Sequence, residues 1–157
     1  MNSIDYLVQR YDADHTNIIS RAFRLMGILS MNFALFCFLW SLPNGLIISW
    51  LGENPYANWA TVYAVLMVIY YGSESFSLTF GAGSFLLGSI VGTFRIMYYY
   101  GDPLMPGLIL LGSSALFFVI GRLISKSMNK LYRDITYLPI QPVWIINHLY
   151  KLIGISI

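Results

Sequence analysis

The chain has 157 residues, of which 57% are hydrophobic and only 10% charged, and its mean hydropathy is +0.65. A soluble domain carries about 25% charged residues, so the polar shell of a water-soluble fold is missing here, and residues 1–157 read as a single integral membrane domain. The net charge of +2 is too small to point to nucleic acid.

The charges are unevenly placed. From Leu25 to Phe94 there is no lysine or arginine, and the only acids are Glu53 and Glu74. Arg21 and Arg24 stand at the front of this stretch. Arg122, Lys126, Lys130 and Arg133 follow a second apolar run. The one cysteine, Cys37, allows no disulfide framework. The polar start, with Asp5, Asp12 and Asp14 and no early apolar core, predicts no cleavable signal peptide.

In chain order, residues 3–12 predict a short amphipathic lead-in helix on the membrane surface, with Ile4, Leu7, Val8 and Tyr11 at helical spacing. A first spanning helix is expected over about Ala22–Leu42, ended by Pro43-Asn44-Gly45, with Asn32 its one strongly polar interior residue. Gly45–Asn58 reads as a loop that re-enters or skims the interface, where Trp50, Tyr56 and Trp59 suit an aromatic belt. A second helix is expected from Trp59 to Tyr71, with an extension past Gly72 toward Phe80 needed to make it a full span. A third covers about Gly81–Tyr99 and a fourth about Leu104–Ile124, separated by Gly101-Asp102-Pro103. A polar, basic segment then leads to a C-terminal helix from about Val143, interfacial because Pro139 and Pro142 oppose a straight span. The expected fold is therefore an all-α polytopic membrane protein of about four transmembrane helices. Lysine and arginine flank the first and last spans and are absent from 43–58 and 99–104, which predicts both termini on the cytoplasmic side.

Few residues in this background carry chemistry. Arg95 is the only cation between Arg24 and Arg122, and an intramembrane charge is costly unless it snorkels or pairs; Asp102, seven residues on, is its candidate partner. Ser84, Gly88 and Gly92 repeat every four residues, a face that admits another helix closely and offers a route to a homo-oligomer. His15, with Asp12 and Asp14 nearby, is the one weak candidate for a metal ligand, since a site needs three or four converging ligands; His148 is the only other imidazole. No Ser-His-Asp, Walker, Rossmann or cysteine-pair motif is supported by its context.

Two stretches together resemble a known family. The first runs from Tyr11 to Pro43, with Arg-Tyr-x-x-x-His ending at His15 and an apolar run closing in Leu-Trp-Ser-Leu-Pro. The second runs from Gly121 to Ile157, with Tyr-Arg-Asp at 132–134, Gln-Pro-Val-Trp-Ile-Ile at 141–146 and Leu-Tyr-Lys-Leu-Ile-Gly-Ile at 149–155. They resemble the bacterial branch of the 2-hydroxy fatty acid dioxygenases, small multi-pass membrane proteins. The resemblance implies Fe(II) chemistry that shortens 2-hydroxy fatty acids by one carbon, in a bacterial inner membrane. The family's metal-binding histidines lie in a His-x-x-Pro-x-Asn element, at the start of the first span, and in Gln-Phe-x-Gly-His with a nearby Glu after the last. Here His15 matches the first, and Ile18 and Ser20 replace the proline and asparagine. Arg24 replaces the second histidine. Gly121 is kept, but Phe118, Arg122 and Ser125 stand for the Gln, His and Glu.

Arginine stays protonated and has no lone pair to give a metal. Arg24 and Arg122, with His15 beside them, therefore predict a site for an anion such as a fatty acid carboxylate or lipid phosphate at the cytoplasmic face. Two alternatives remain: a dioxygenase that keeps Fe(II) on other ligands, drawn from His15, Asp12, Asp14 and His148, and a structural assembly protein docking through Ser84, Gly88 and Gly92.

Overall fold

A computed structural model describes residues 17–73, 76–126, 143–146 and 150. All regular structure among them is helical, with no strand, in five main helices: α1 (Ile18–Ser41), α2 (Gly45–Leu51), α3 (Trp59–Gly72), α4 (Phe76–Tyr100) and α5 (Leu104–Ile124). The expected lead-in helix at 3–12 lies outside the described residues, as does most of the tail.

α1 begins four residues before the expected Ala22 because Asn17 caps it: the Ile19 N–H donates to Asn17 Oδ1 at 2.9 Å. Arg21 and Arg24 thus sit in the first two turns of the helix instead of on a polar approach to it. The chain after Pro43 is not a loop throughout. Residues 45–51 form α2, which buries Ile47 and exposes Leu46, Leu51 and Trp50, the last 88% exposed. An apolar helix of seven residues is short of any span and suited to lie at the headgroup boundary. It ends at Gly52, where φ of +78° needs a residue without a Cβ.

Asn58 caps α3 by accepting the Thr61 N–H at 3.0 Å. The extension toward Phe80 does not form. α3 stops at Gly72, and the Ser73 hydroxyl donates to the Tyr70 carbonyl. Residues 76–80 belong to α4, which starts five residues earlier than Gly81. At 1.5 Å per residue α3 rises about 21 Å, short of a hydrocarbon layer of about 30 Å. α1, α4 and α5 are long and apolar enough to cross a membrane, so among the described residues three helices, not four, meet the length of a span.

α4 ends in Gly101, whose φ of +74° and N–H bond to the Met97 carbonyl at 2.8 Å close the helix. Asp102 accepts the Leu104 N–H at 2.9 Å and starts α5.

The chain divides into two compact units. Unit 1 is Met1–Ser30 with Gly112–Ile157, and unit 2 is Met31–Leu111; the divisions fall inside α1 and α5. Unit 1 holds eight of the nine Lys and Arg residues, and only Arg95 lies in unit 2. The core of unit 2 is Phe36 and Trp40 of α1, Ala60 and Ala64 of α3, and Leu86 and Ile90 of α4. Tyr56 stacks obliquely on Phe94 at 5.5 Å and meets Trp40 edge-on at 6.4 Å, tying the 52–58 turn to the helix ends.

Small residues set the closest approaches in unit 2. A Cβ on Gly107 would lie 2.8 Å from the Cys37 Cβ, and one on Gly92 would strike the Phe33 ring. Gly88 has nothing within 4 Å. Because Cys37 Cβ is fixed to the backbone, Gly107→Ala is expected to destabilise by about 1–3 kcal/mol. Gly88→Ala meets open space and is expected to be neutral or stabilising by up to about 1 kcal/mol. Reversible unfolding of the two variants in mixed detergent micelles checks the contrast.

Candidate anion site

In unit 1 the first turns of α1 meet the last turns of α5. Gly121 makes the approach possible: a Cβ there would lie 3.4 Å from the Ser20 carbonyl oxygen, 3.5 Å from Phe23 Cβ and 3.8 Å from the Arg24 nitrogen. One turn further in, Gly27 accepts the face of Phe118, and Phe23 and Phe117 rings lie 6.2 Å apart. The crossing is fastened by a buried bond in which the Ser20 hydroxyl donates to the Gly121 carbonyl at 2.8 Å.

The two arginines flank that bond. Arg24 lies one helical turn after Ser20, and Arg122 is the residue after Gly121. They are 1% and 0% exposed, among the largest fully buried side chains described. Neither points out toward acyl chains. The Arg24 guanidinium carbon sits 5.1 Å from the centre of the Trp144 ring. Residues 143–146 form one helical turn where a C-terminal helix was expected to begin, and all four are buried against protein.

No acidic side chain occurs among the described residues of unit 1. Its four acids, Asp5, Asp12, Asp14 and Asp134, fall in the segments 1–16 and 127–142, outside the described residues. Taking one guanidinium out of water costs several kcal/mol unless negative charge or acceptor oxygens meet it. Arg24 and Arg122 are the two buried charged residues among those described.

His15 and His148 are outside the described residues. Among the described residues no group of three or more His, Cys, Asp or Glu gathers as metal ligands would. Arg95 is exposed, five residues before the end of α4, and its expected pairing with Asp102 is not formed: Asp102 lies beyond the Gly101 break, exposed, and caps α5. The Ser84, Gly88 and Gly92 stripe splits. Gly92 packs on Phe33 of α1, while Ser84 and Gly88 are exposed.

Trp144 stands beside Arg24, a neighbour that the sequence did not indicate. The signal available for Ser20 was its spacing of four from Arg24, which puts both on one helix face. Nothing local links Trp144 to a helix that begins over a hundred residues earlier. Comparison with protein-family models, with curated proteins and with solved structures finds no match for the chain.

Removing the Ser20 hydroxyl takes away the bond between the two helices and leaves the Gly121 carbonyl with the Ser125 N–H at 3.1 Å as its donor. Ser20→Ala is expected to cost about 1–2 kcal/mol. Gly121→Val, which drives a branched side chain against Phe23 and the Ser20 carbonyl, is expected to cost more. Thermal unfolding in detergent of both variants beside the parent measures the order.

Proposed function

We propose that this chain is a multi-pass protein of a bacterial inner membrane that binds an anionic lipid or a fatty acid through Arg24 and Arg122. The observation that carries the reading is the complete burial of both guanidinium groups at one helix crossing. Guanidinium forks match carboxylate and phosphate oxygens in pairs. In this reading the acids of the flanking segments and a bound anion share the task of neutralising unit 1, which has eight basic residues against four acidic ones.

The resemblance to the 2-hydroxy fatty acid dioxygenases fits the same place. Ser20, Arg24, Gly121 and Arg122 occupy positions of that family's ligand-bearing motifs, and here they stand at a single crossing. Guanidinium in place of imidazole turns a pocket for a cation into one for an anion. The basic end of α1 and α5 lies on the cytoplasmic side by the distribution of lysine and arginine.

The test is the lipid that stays with the protein through purification, profiled by mass spectrometry. Wild type is expected to retain an anionic lipid or fatty acid, and Arg24→Gln with Arg122→Gln to retain about tenfold less of it, with zwitterionic lipid unchanged. Equal retention by wild type and the double variant would overturn the reading. Stoichiometric iron with oxygen uptake on a 2-hydroxy fatty acid would establish the dioxygenase instead.

A further inference from the structure

We propose that the groove between α3 and α4 holds an acyl chain of a bilayer phospholipid. The site is built from unit 2 alone and does not rest on the anion site of unit 1.

Thr61, Ala64, Val65 and Val68 recur at helical spacing along α3, and Gly83, Leu86, Leu87 and Ile90 do the same along α4. Each set is one continuous helix face. The faces meet over small residues, Ala64 and Gly83, and leave a groove of about 360 Å³. Its floor of Ala64, Leu86 and Ile90 is buried, and its rims, Val65, Ile69 and Leu87, are exposed. Among the described residues that line it, Thr61 alone is polar, and its hydroxyl is turned to Asn58 Oδ1 in the cap of α3, 3.4 Å away. A polar headgroup placed here would lose its hydrogen bonds to water and find none in return, whereas hydrocarbon meets no such cost.

The size of the groove decides between an acyl chain and a protein partner. From Thr61 to Ile69 α3 rises about 12 Å, a length over which a helix about 10 Å across would fill about 900 Å³. The groove offers less than half of that. Nine residues line it, against about 20–30 a side in a stable protein interface. α4 is one of the helices long and apolar enough to cross a membrane, so the exposed rims continue its lipid-facing surface. An acyl chain that leaves the bilayer for the groove gains contacts from both walls and the floor at once.

The experiment places the full-length protein in phosphatidylcholine nanodiscs that carry a trace of phosphatidylcholine with a photoreactive diazirine on its acyl chain, and maps the labelled residues by mass spectrometry. In wild type, labelling at Val65, Ile69 and Leu87 is expected to exceed that at Leu66 and Val91, exposed on the same helices outside the groove, by at least about threefold. Gly83→Leu fills the groove from its own wall and is expected to bring the rims down to the level of Leu66 and Val91. A Cβ at Gly83 meets Val68 Cγ2 at 3.9 Å, an ordinary contact, so the helices can keep their places. Equal labelling of rim and control residues in wild type would overturn the proposal, and that comparison needs no variant to fold. Efficient crosslinking of two copies through Leu87→Cys would give the groove to a second protein chain and also overturn it. A phosphatidylglycerol probe is expected to label the rims within about twofold of phosphatidylcholine, and a tenfold preference would overturn recognition by the acyl chain alone. Arg24→Gln with Arg122→Gln is expected to label the rims as wild type does, so loss of the anion site leaves this one standing; a fall to control level in that variant would overturn a site built from unit 2 alone.

Discussion

A guanidinium group stays charged at any pH a protein meets, so two of them sealed from water constrain everything packed around them. Arg24 and Arg122 impose that constraint on unit 1. Their helices must come close enough to exclude solvent, and Gly121 and Gly27 allow it by offering no side chain at the contact. The Ser20 to Gly121 bond ties the crossing at a point where water cannot compete. One face of Arg24 must be covered by something that gains from a cation, and Trp144 supplies an aromatic face. Each of these features is ordinary by itself. Together they are what a buried pair of cations requires.

Unit 2 is built on the opposite principle. Its core is aliphatic and aromatic, its helices approach through Gly92 and Gly107, and its one cation, Arg95, is exposed. The acids placed there, Glu53, Glu74 and Asp102, give it a net charge of opposite sign to that of unit 1. Asp102 caps α5 through Oδ1, beyond the Gly101 break that ends the helix of Arg95. With a long stem and an exposed position near the end of α4, Arg95 needs no partner in the protein, because it can reach the polar boundary of the bilayer. Among the described residues the buried charges thus lie in unit 1, and the core of unit 2 is apolar.

Much of this was legible in the amino-acid pattern, and the failures have identifiable causes. The three long helices were visible because apolar runs bounded by Pro43-Asn44-Gly45 and Gly101-Asp102-Pro103 leave no other solution in lipid. The start of α1 was misplaced because polar residues at 17–21 look like a loop, whereas Asn17 is a cap and Ser20 and Arg21 are helical. α2 was read as a loop because seven residues are too few to show helical periodicity. The Gly72-Ser73 break interrupts what the length of a span alone would predict, because the Ser73 hydroxyl closes the last turn on the Tyr70 carbonyl. At the site, the identities of Arg24 and Arg122 were readable, but their burial was not. An arginine near a helix end ordinarily snorkels outward, and only the approach of α5, ninety-seven residues later at Gly121, turns Arg24 inward.

What the crossing can offer a ligand follows from its atoms. Ser20 has already given its hydroxyl hydrogen to Gly121, and the Ser125 hydroxyl donates to the Arg122 carbonyl. The guanidinium groups contribute donors only, and the indole contributes a face that prefers positive charge. Among the described residues, then, the crossing is rich in N–H donors and positive charge and poor in the lone pairs a metal ion seeks. A metal cation entering it would find the donors of two guanidinium groups in place of lone pairs.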